Sequence, residues 1–142
     1  MNTKSIDSAI AIMTRHMEAQ LPLDMTTWQG HNAQGKFGAA LEEEHLCGTP
    51  CCFAGYIAVS PEFHADGGGC EINSGTPLIN DHYDADAIRE WFDCSTKQAC
   101  SLCDITHRRV AYPNVAIRGD IEFPDIIAAL TSLRDTGRLP GE

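Results

Sequence analysis

The sequence predicts a mainly helical α+β domain, with four or five helices around a buried central helix and at most one small β-hairpin. Three observations support this class. Several segments place apolar residues at helical spacing, one short segment is apolar on every side, and one stretch rich in Gly, Asn and Asp has the chemistry of a hairpin. A chain of 142 residues, 43% of them hydrophobic, can form one core, so residues 1–142 are expected to be a single domain.

Residues 5–20 are predicted to form the first helix. Apolar side chains recur there every three or four residues, and Arg15 and Glu18 lie on the opposite side. Leu21-Pro22-Leu23 is expected to end this helix. Trp28 is expected to pack on the core, and residues 30–38, which contain Gly and Asn, are predicted to be a loop.

The central helix is predicted over residues 50–59. Thr49 is a suitable N-cap and Pro50 suits the first helical position. The run from Cys51 to Val59 is apolar all round, which is typical of a helix enclosed by other elements. Pro61 is expected to stop the helix.

A short hairpin is predicted in the next stretch, where 71–73 and 76–79 can pair across Ser74-Gly75. The helix that follows should run through residues 87–92, capped by Asp84 or Asp86.

The remaining elements are predicted from local start and stop signals. Ser95 and Gln98 have the spacing of a capping box, which favours a short helix to about residue 104. Residues 107–120 are expected to be irregular. A last helix is predicted from Pro124 to its glycine stop at Gly137.

The charge is strongly acidic and unevenly distributed. The net charge is −10, which disfavours contact with nucleic acids or anionic lipids and favours a basic partner. Residues 37–88 hold nine acidic residues and no Lys or Arg. This segment is expected either to be a solvated surface or to bind a partner with a basic face. The candidate partner-binding residues are Glu42, Glu43, Glu44, Asp66, Asp81, Asp84 and Asp86.

The N-terminal stretch has no uninterrupted apolar region of the kind that a signal peptide needs, and no run is long enough for a membrane span. Seven cysteines without an export signal indicate a reducing compartment. We therefore expect a cytoplasmic protein.

Two groups of cysteines are candidate zinc ligands. Cys94, Cys100, Cys103 and His107 supply four suitable ligands within 14 residues, and His45, Cys47, Cys51 and Cys52 form a second set. The competing interpretation is that these cysteines pack in the core, because free cysteine is among the most buried residue types. We favour core packing and expect neither a metal nor another cofactor.

Cys52 is also the candidate for a reactive thiol. At the start of the central helix, backbone amides and the helix dipole would favour its thiolate, whereas burial would disfavour it. The apolar surroundings favour burial, so no catalytic residue is assigned and slow alkylation is expected.

Three further patterns favour ordinary structural roles. Residues 67–69 are glycines but lack the Lys-Ser/Thr of a phosphate-binding loop, and the aspartates at 81–86 miss the calcium-loop spacing. Arg108, Arg109 and Arg118 flank Tyr112. Three arginines cannot easily overcome the overall negative field, so ion pairs with the acidic segment are expected there instead of nucleic-acid contacts.

The run Cys47-Gly48-Thr49, followed by Cys52, Ala54 and Gly55, resembles the CGTxxCxAG motif of small phage and prophage proteins. A later run, residues 87–92, resembles a helix start of the same proteins. The likeness covers about half of the chain, and its pattern does not include Cys94, Cys100 or Cys103. That family has no settled activity, so the resemblance implies a phage-type origin and a fold.

The resemblance implies a phage-type accessory protein, and such proteins often inhibit host enzymes or defence systems. The acidic segment leads us to expect that this protein acts by stoichiometric binding to a host protein with a basic surface. The alternatives left open are a zinc-stabilised structural or adaptor module and a cysteine-dependent enzyme.

Overall fold

The computed structural model describes residues 1–23, 25, 52–71, 75–103, 108–116 and 120–142. In these ranges the chain is mainly helical with one small antiparallel sheet, which confirms the predicted α+β class. The helices are α1 (Thr3–Glu18), α2 (Phe53–Val59), α3 (Pro61–Ala65), α4 (Asp84–Phe92), α5 (Thr96–Leu102), α6 (Arg108–Ala111) and α7 (Phe123–Thr136). The strands are β1 (Gly69–Cys70), β2 (Pro77–Ile79) and β3 (His82–Tyr83). Trp28 and residues 30–38 lie outside the described residues.

The two longest helices, α1 and α7, pack against each other. Asn2 caps α1, since its side-chain oxygen accepts a hydrogen bond from the Ser5 amide at 3.2 Å. At the surface between the two helices, Arg134 Nη1 lies 2.9 Å from Asp7 Oδ1. The first helix thus lies within two residues of its predicted bounds.

The central helix, α2, begins later than predicted. Cys52 is its N-cap, with an extended backbone and a sulfur that accepts from the Gly55 amide at 3.4 Å. The expected start at Thr49 and Pro50 is therefore wrong, and those two residues lie outside the described ranges. The prediction of complete burial is confirmed, because all seven residues of α2 are buried. The Cys52 side chain, which accepts a hydrogen bond from an amide of the first turn, takes the capping role that was predicted for Thr49.

Pro61 does end α2, but it also begins α3. Ser60 is both the C-cap of α2 and the N-cap of α3, where its hydroxyl accepts from the Phe63 amide at 3.4 Å. Glycine is required at the two positions that follow α3, for backbone conformation at residue 67 and for packing at residue 68. Gly67 has φ of +93°, and a Cβ at Gly68 would lie 2.4 Å from the Phe63 ring. These two glycines allow the chain to turn directly after α3 and pass close to Phe63.

The sheet has one hairpin more than predicted, and its first strand lies before the predicted residues 71–73, of which 72 and 73 are outside the described ranges. β1 pairs with β2 from residue 69 onward, and the pairing continues where the Glu71 amide donates to the Thr76 carbonyl at 2.8 Å. β2 then pairs with β3 through a two-residue turn at Asn80 and Asp81, whose φ values are +50° and +66°. Positive φ at both central residues is typical of the tight turn that joins twisted strands, and Asn and Asp tolerate it.

The elements after the sheet follow local signals closely. The Ser95–Gln98 capping box is present at the start of α5, and Gly137, with φ of +73°, ends α7 as predicted. The expectation that residues 107–120 are irregular is wrong in part, because α6 lies there. Tyr112 anchors this region: its hydroxyl donates to the Leu102 carbonyl at 2.7 Å, and the side chain is buried.

Aromatic rings connect α2 with its surroundings. The ring centroids of Tyr56 and Phe123, at the start of α7, are 5.8 Å apart. Those of Phe53 and Phe92, in α4, are 6.4 Å apart. The sheet and helices α1, α3 and α4 also contact α2. Among the described residues, no helix is both long and apolar enough to cross a membrane.

The burial of α2 gives a test of the core. Replacing Ile57, which is fully buried, by Ala should cost about 2–5 kcal/mol of unfolding free energy, because the cavity left behind adds to the lost transfer energy. Urea unfolding followed by circular dichroism measures this loss. Ile127→Ala in α7 is the control, since this residue is only partly buried and should lose clearly less. Equal losses at both positions would contradict a core centred on α2.

Candidate functional site

Three of the predicted partner-binding residues lie together where the sheet joins α4. Asp81 lies in the turn between β2 and β3, and Asp84 and Asp86 lie in the first turn of α4. All three are exposed. The predicted capping role is wrong, because Tyr83 is the N-cap and no side chain bonds to the free amides. The carboxylates still lie at the helix end where the dipole favours negative charge.

Asp86 is balanced by two neighbours. Its Oδ1 accepts from Arg89 Nε at 2.5 Å, and its Oδ2 contacts the His82 ring. The hydrogen bond from Arg89 is the main reason why the pKa of this carboxyl lies below its usual range. The charge of Asp86 is thus largely matched within the protein.

Asp81 and Asp84 have no such balance. Within the part of the chain that the structure describes, neither carboxylate forms an ion pair or a side-chain hydrogen bond. The segment from residue 37 to residue 88 contains no Lys or Arg to compensate them. These two residues therefore leave an uncompensated negative corner between the sheet and α4, which we call the acidic corner (Asp81, Asp84).

Asp66 has a structural task instead. Its Oδ2 accepts from the indole nitrogen of Trp91 at 2.9 Å, and Trp91 in turn packs edge-on against Phe63, with ring centroids 5.0 Å apart. This bond satisfies a buried indole N–H that would otherwise lose its partner. Asp66 therefore has a partner within the protein.

The remaining acidic candidates are Glu42, Glu43 and Glu44, which lie outside the described residues. Another acid of the segment, Glu62, is paired: both of its oxygens lie within 3.2 Å of Arg15 Nη1. Of the described acids that were predicted to bind a partner, the acidic corner is the part available for an external cation.

The sheet has a buried face and an open face. Pro77 and Ile79 are buried, whereas Leu78 between them is only partly buried. Leu78 lies opposite Gly69 of β1 and Tyr83 of β3, so these three residues form one row across the outer face. Tyr83 is 51% exposed, and a Cβ built on Gly69 meets no described atom within 4 Å. The outer row (Gly69, Leu78, Tyr83) therefore has an exposed aromatic ring at one end and, at the other, a glycine whose Cβ position is clear of described atoms.

Sequence reasoning did not single out the outer row. The signal was the Asn80-Asp81 pair, which favours a two-residue turn and brings positions 78 and 83 opposite each other. The single predicted hairpin was placed at Ser74-Gly75, before β2, so the turn after β2 was not predicted. His82, which contacts Asp86 and lies 3.5 Å from Glu90, was missed for the same reason.

Two of the described cysteines, Cys94 and Cys103, are poor nucleophiles. Burial raises the pKa of the Cys103 thiol well above its usual range, and nearby thiols raise it further. Burial also raises the pKa of Cys94 to about 12. A thiolate is the reactive form, so neither residue is primed for nucleophilic attack at neutral pH.

The placement of the cysteines bears on metal binding as well. Cys52 and Cys103 lie in the hydrophobic core, and Cys94 and Cys100 pack against it. Among the described residues, no three His, Cys, Asp or Glu side chains are arranged to hold a metal ion. His45, Cys47, Cys51 and His107 lie outside these ranges, so the expectation of no metal stays a prediction.

Arg108 and Tyr112 both have partners within the described protein. Arg108 donates to the carbonyls of Val115, at 3.2 Å, and Ala116. Tyr112 is buried, so its ring is not available to stack on a base. Arg118 lies outside the described residues.

A groove of about 440 Å³ lies between the end of α1 and the start of α7. Its lining consists of Met17, Leu21, Leu23, Ile121, Glu122, Phe123 and Pro124. Among the described lining residues, Glu122, which is exposed, is the one ionisable group. A catalytic pocket usually brings several polar groups together.

Comparisons with known proteins add no relative: no family model, curated protein or solved structure matches the chain.

Cysteine chemistry can be tested by alkylation at different pH values. Because the pKa of Cys94 is raised to about 12, its labelling by iodoacetamide should rise roughly tenfold per pH unit between pH 7 and pH 10. Buried Cys52 should react slowly throughout, for lack of access. Peptide mass spectrometry gives both rates, and a short unfolded cysteine peptide serves as control, with a rate that is half-maximal near pH 8.5 and levels about one pH unit above it. A rate for Cys94 that levels off by about pH 10, as the peptide's does, would contradict the effect of burial.

Proposed function

We propose that this protein acts by stoichiometric binding, in which its acidic segment contacts a basic surface on a host protein. The observation that carries the proposal is the acidic corner. Asp81 and Asp84 are exposed and uncompensated by any cation in the described structure, in a segment without Lys or Arg. Exposed charges of one sign attract an oppositely charged surface from a distance and speed up association.

The resemblance to small phage proteins fits this proposal through the core. Cys52, Ala54 and Gly55, the described part of the CGTxxCxAG likeness, are all buried, and so are Trp91 and Phe92. Buried residues determine packing and leave the surface free to vary. We therefore propose a phage-type accessory protein of the host cytoplasm that inhibits an enzyme or defence system, with its specificity in surface residues.

Catalysis and nucleic-acid binding receive less support. The thiols of Cys94 and Cys103 are held in their protonated forms, and Tyr112 is buried. The net charge of −10 also opposes contact with phosphates and anionic lipids. The proposed partner is thus a protein, with neither nucleic acid nor membrane contacted directly.

Charge-neutral variants test the proposal. Asp81→Asn with Asp84→Asn removes both charges of the acidic corner, and Asn tolerates the left-handed backbone at these positions, where φ is +66° and +58°. Capture of a host protein on the immobilised wild-type chain should weaken between 50 and 500 mM salt, because screening shortens electrostatic reach to about 3–10 Å. The double variant should capture several-fold less at low salt and show a flatter salt dependence.

Two further variants make the result specific. Glu18→Gln with Asp120→Asn removes the same number of exposed charges outside the segment and should leave capture unchanged. Glu42→Gln, Glu43→Gln and Glu44→Gln together test the other acidic candidates, and unfolding curves check that each variant folds. If capture is unchanged in both the corner variant and the glutamate variant, the acidic segment is only a solvated surface.

A further inference from the structure

The outer row and the acidic corner belong to the same structural unit. Asp81 and Asp84 immediately flank β3, the strand that carries Tyr83. Leu78 lies next to Tyr83 across the pair of strands. On its other side Leu78 lies opposite Gly69, where a Cβ would meet no described atom within 4 Å. The outer face thus carries an exposed aromatic ring and a small apolar floor, and the two aspartates of the acidic corner flank the strand that holds the ring.

We infer that this face is a docking platform for an arginine side chain of the basic partner, an inference that rests on the proposed function. The guanidinium group stacks on the ring of Tyr83 and is within reach of the carboxylates that flank the strand. The aliphatic stem of the arginine lies over Leu78 in the space that Gly69 leaves open. Stacking, apolar contact and charge pairing thus use one row and its two neighbours.

Arginine fits this face better than lysine does. Its guanidinium is planar and weakly hydrated, so it stacks on an aromatic face while its edge donates to carboxylates. Lysine carries a compact, strongly hydrated charge, which pairs with the carboxylates but gains less from the ring. An acidic surface alone would attract either cation about equally, so a preference for arginine is the distinguishing property of Tyr83.

Gly69 also supports the inference, and it lies in β1, at the edge of the sheet opposite to Tyr83 in β3. Its φ does not lie in the left-handed region, and no described atom lies within 4 Å of its Cβ position, so neither strain nor crowding by the described residues requires glycine there. A side chain at this position would fill the space beside Leu78. Gly69 is therefore a position where the platform can be blocked without disturbing the fold.

The test uses octa-arginine and octa-lysine peptides as probes, with binding to the full chain measured by calorimetry at 50 mM salt. The wild-type chain should bind octa-arginine more tightly than octa-lysine. Tyr83→Leu keeps the charge and an apolar side chain but removes the ring, and it should weaken octa-arginine binding about two- to fivefold while octa-lysine changes less than twofold. Gly69→Val should weaken octa-arginine binding to a similar extent, since valine suits a strand and occupies the vacant space.

The outcomes separate this inference from the proposed function. If both substitutions leave octa-arginine binding unchanged while Asp81→Asn with Asp84→Asn weakens both peptides, the platform is wrong and electrostatic docking stands. If the aspartate variant also binds as wild type does, both fail. Equal losses of the two peptides in Tyr83→Leu would likewise overturn arginine recognition. Urea unfolding confirms that each variant is folded before its affinity is compared.

Discussion

The structure depends on one constraint, which is the need to cover a short helix on every side. All residues of α2 are buried, so no face of it is left for solvent. α1, α3, α4 and the sheet contact it directly, and Tyr56 reaches the start of α7. A seven-residue helix has little stability of its own, and it persists because packing supplies what its hydrogen bonds do not.

This constraint also determines which surface remains available. The small sheet uses one face, with Pro77 and Ile79, to cover the core, and Tyr83 on its other face is exposed. The chain then turns at Asn80 and Asp81 and enters α4 at once, so the acidic corner is presented by a tight turn and a helix start rather than by a long loop. Such a position is held by backbone geometry, which limits the entropy lost on binding.

Local signals in the sequence predicted much of the fold, and long-range effects account for the errors. The Ser95–Gln98 box and Gly137 act on adjacent backbone groups, and both were located correctly. The start of α2 was misplaced because Thr49 and Pro50 form a good local signal, whereas Cys52 caps the helix in the packed structure. Of the candidate site, the acidic stretch was evident from composition. The pairing of Asp86 with Arg89 and of Asp66 with Trp91 was not, because it depends on how side chains meet after folding.

The most direct measurement is chemical-shift mapping of the amides of the isotope-labelled chain during titration with octa-arginine. A docking surface formed by the acidic corner and the outer row predicts that the largest perturbations fall on residues 69, 78 and 81–84 and diminish with added salt. Amides near Glu18 and Asp120, which are exposed acids elsewhere, should move little. Perturbations of similar size at those two acids would show that a basic ligand is held by overall charge alone, which would contradict a defined binding surface.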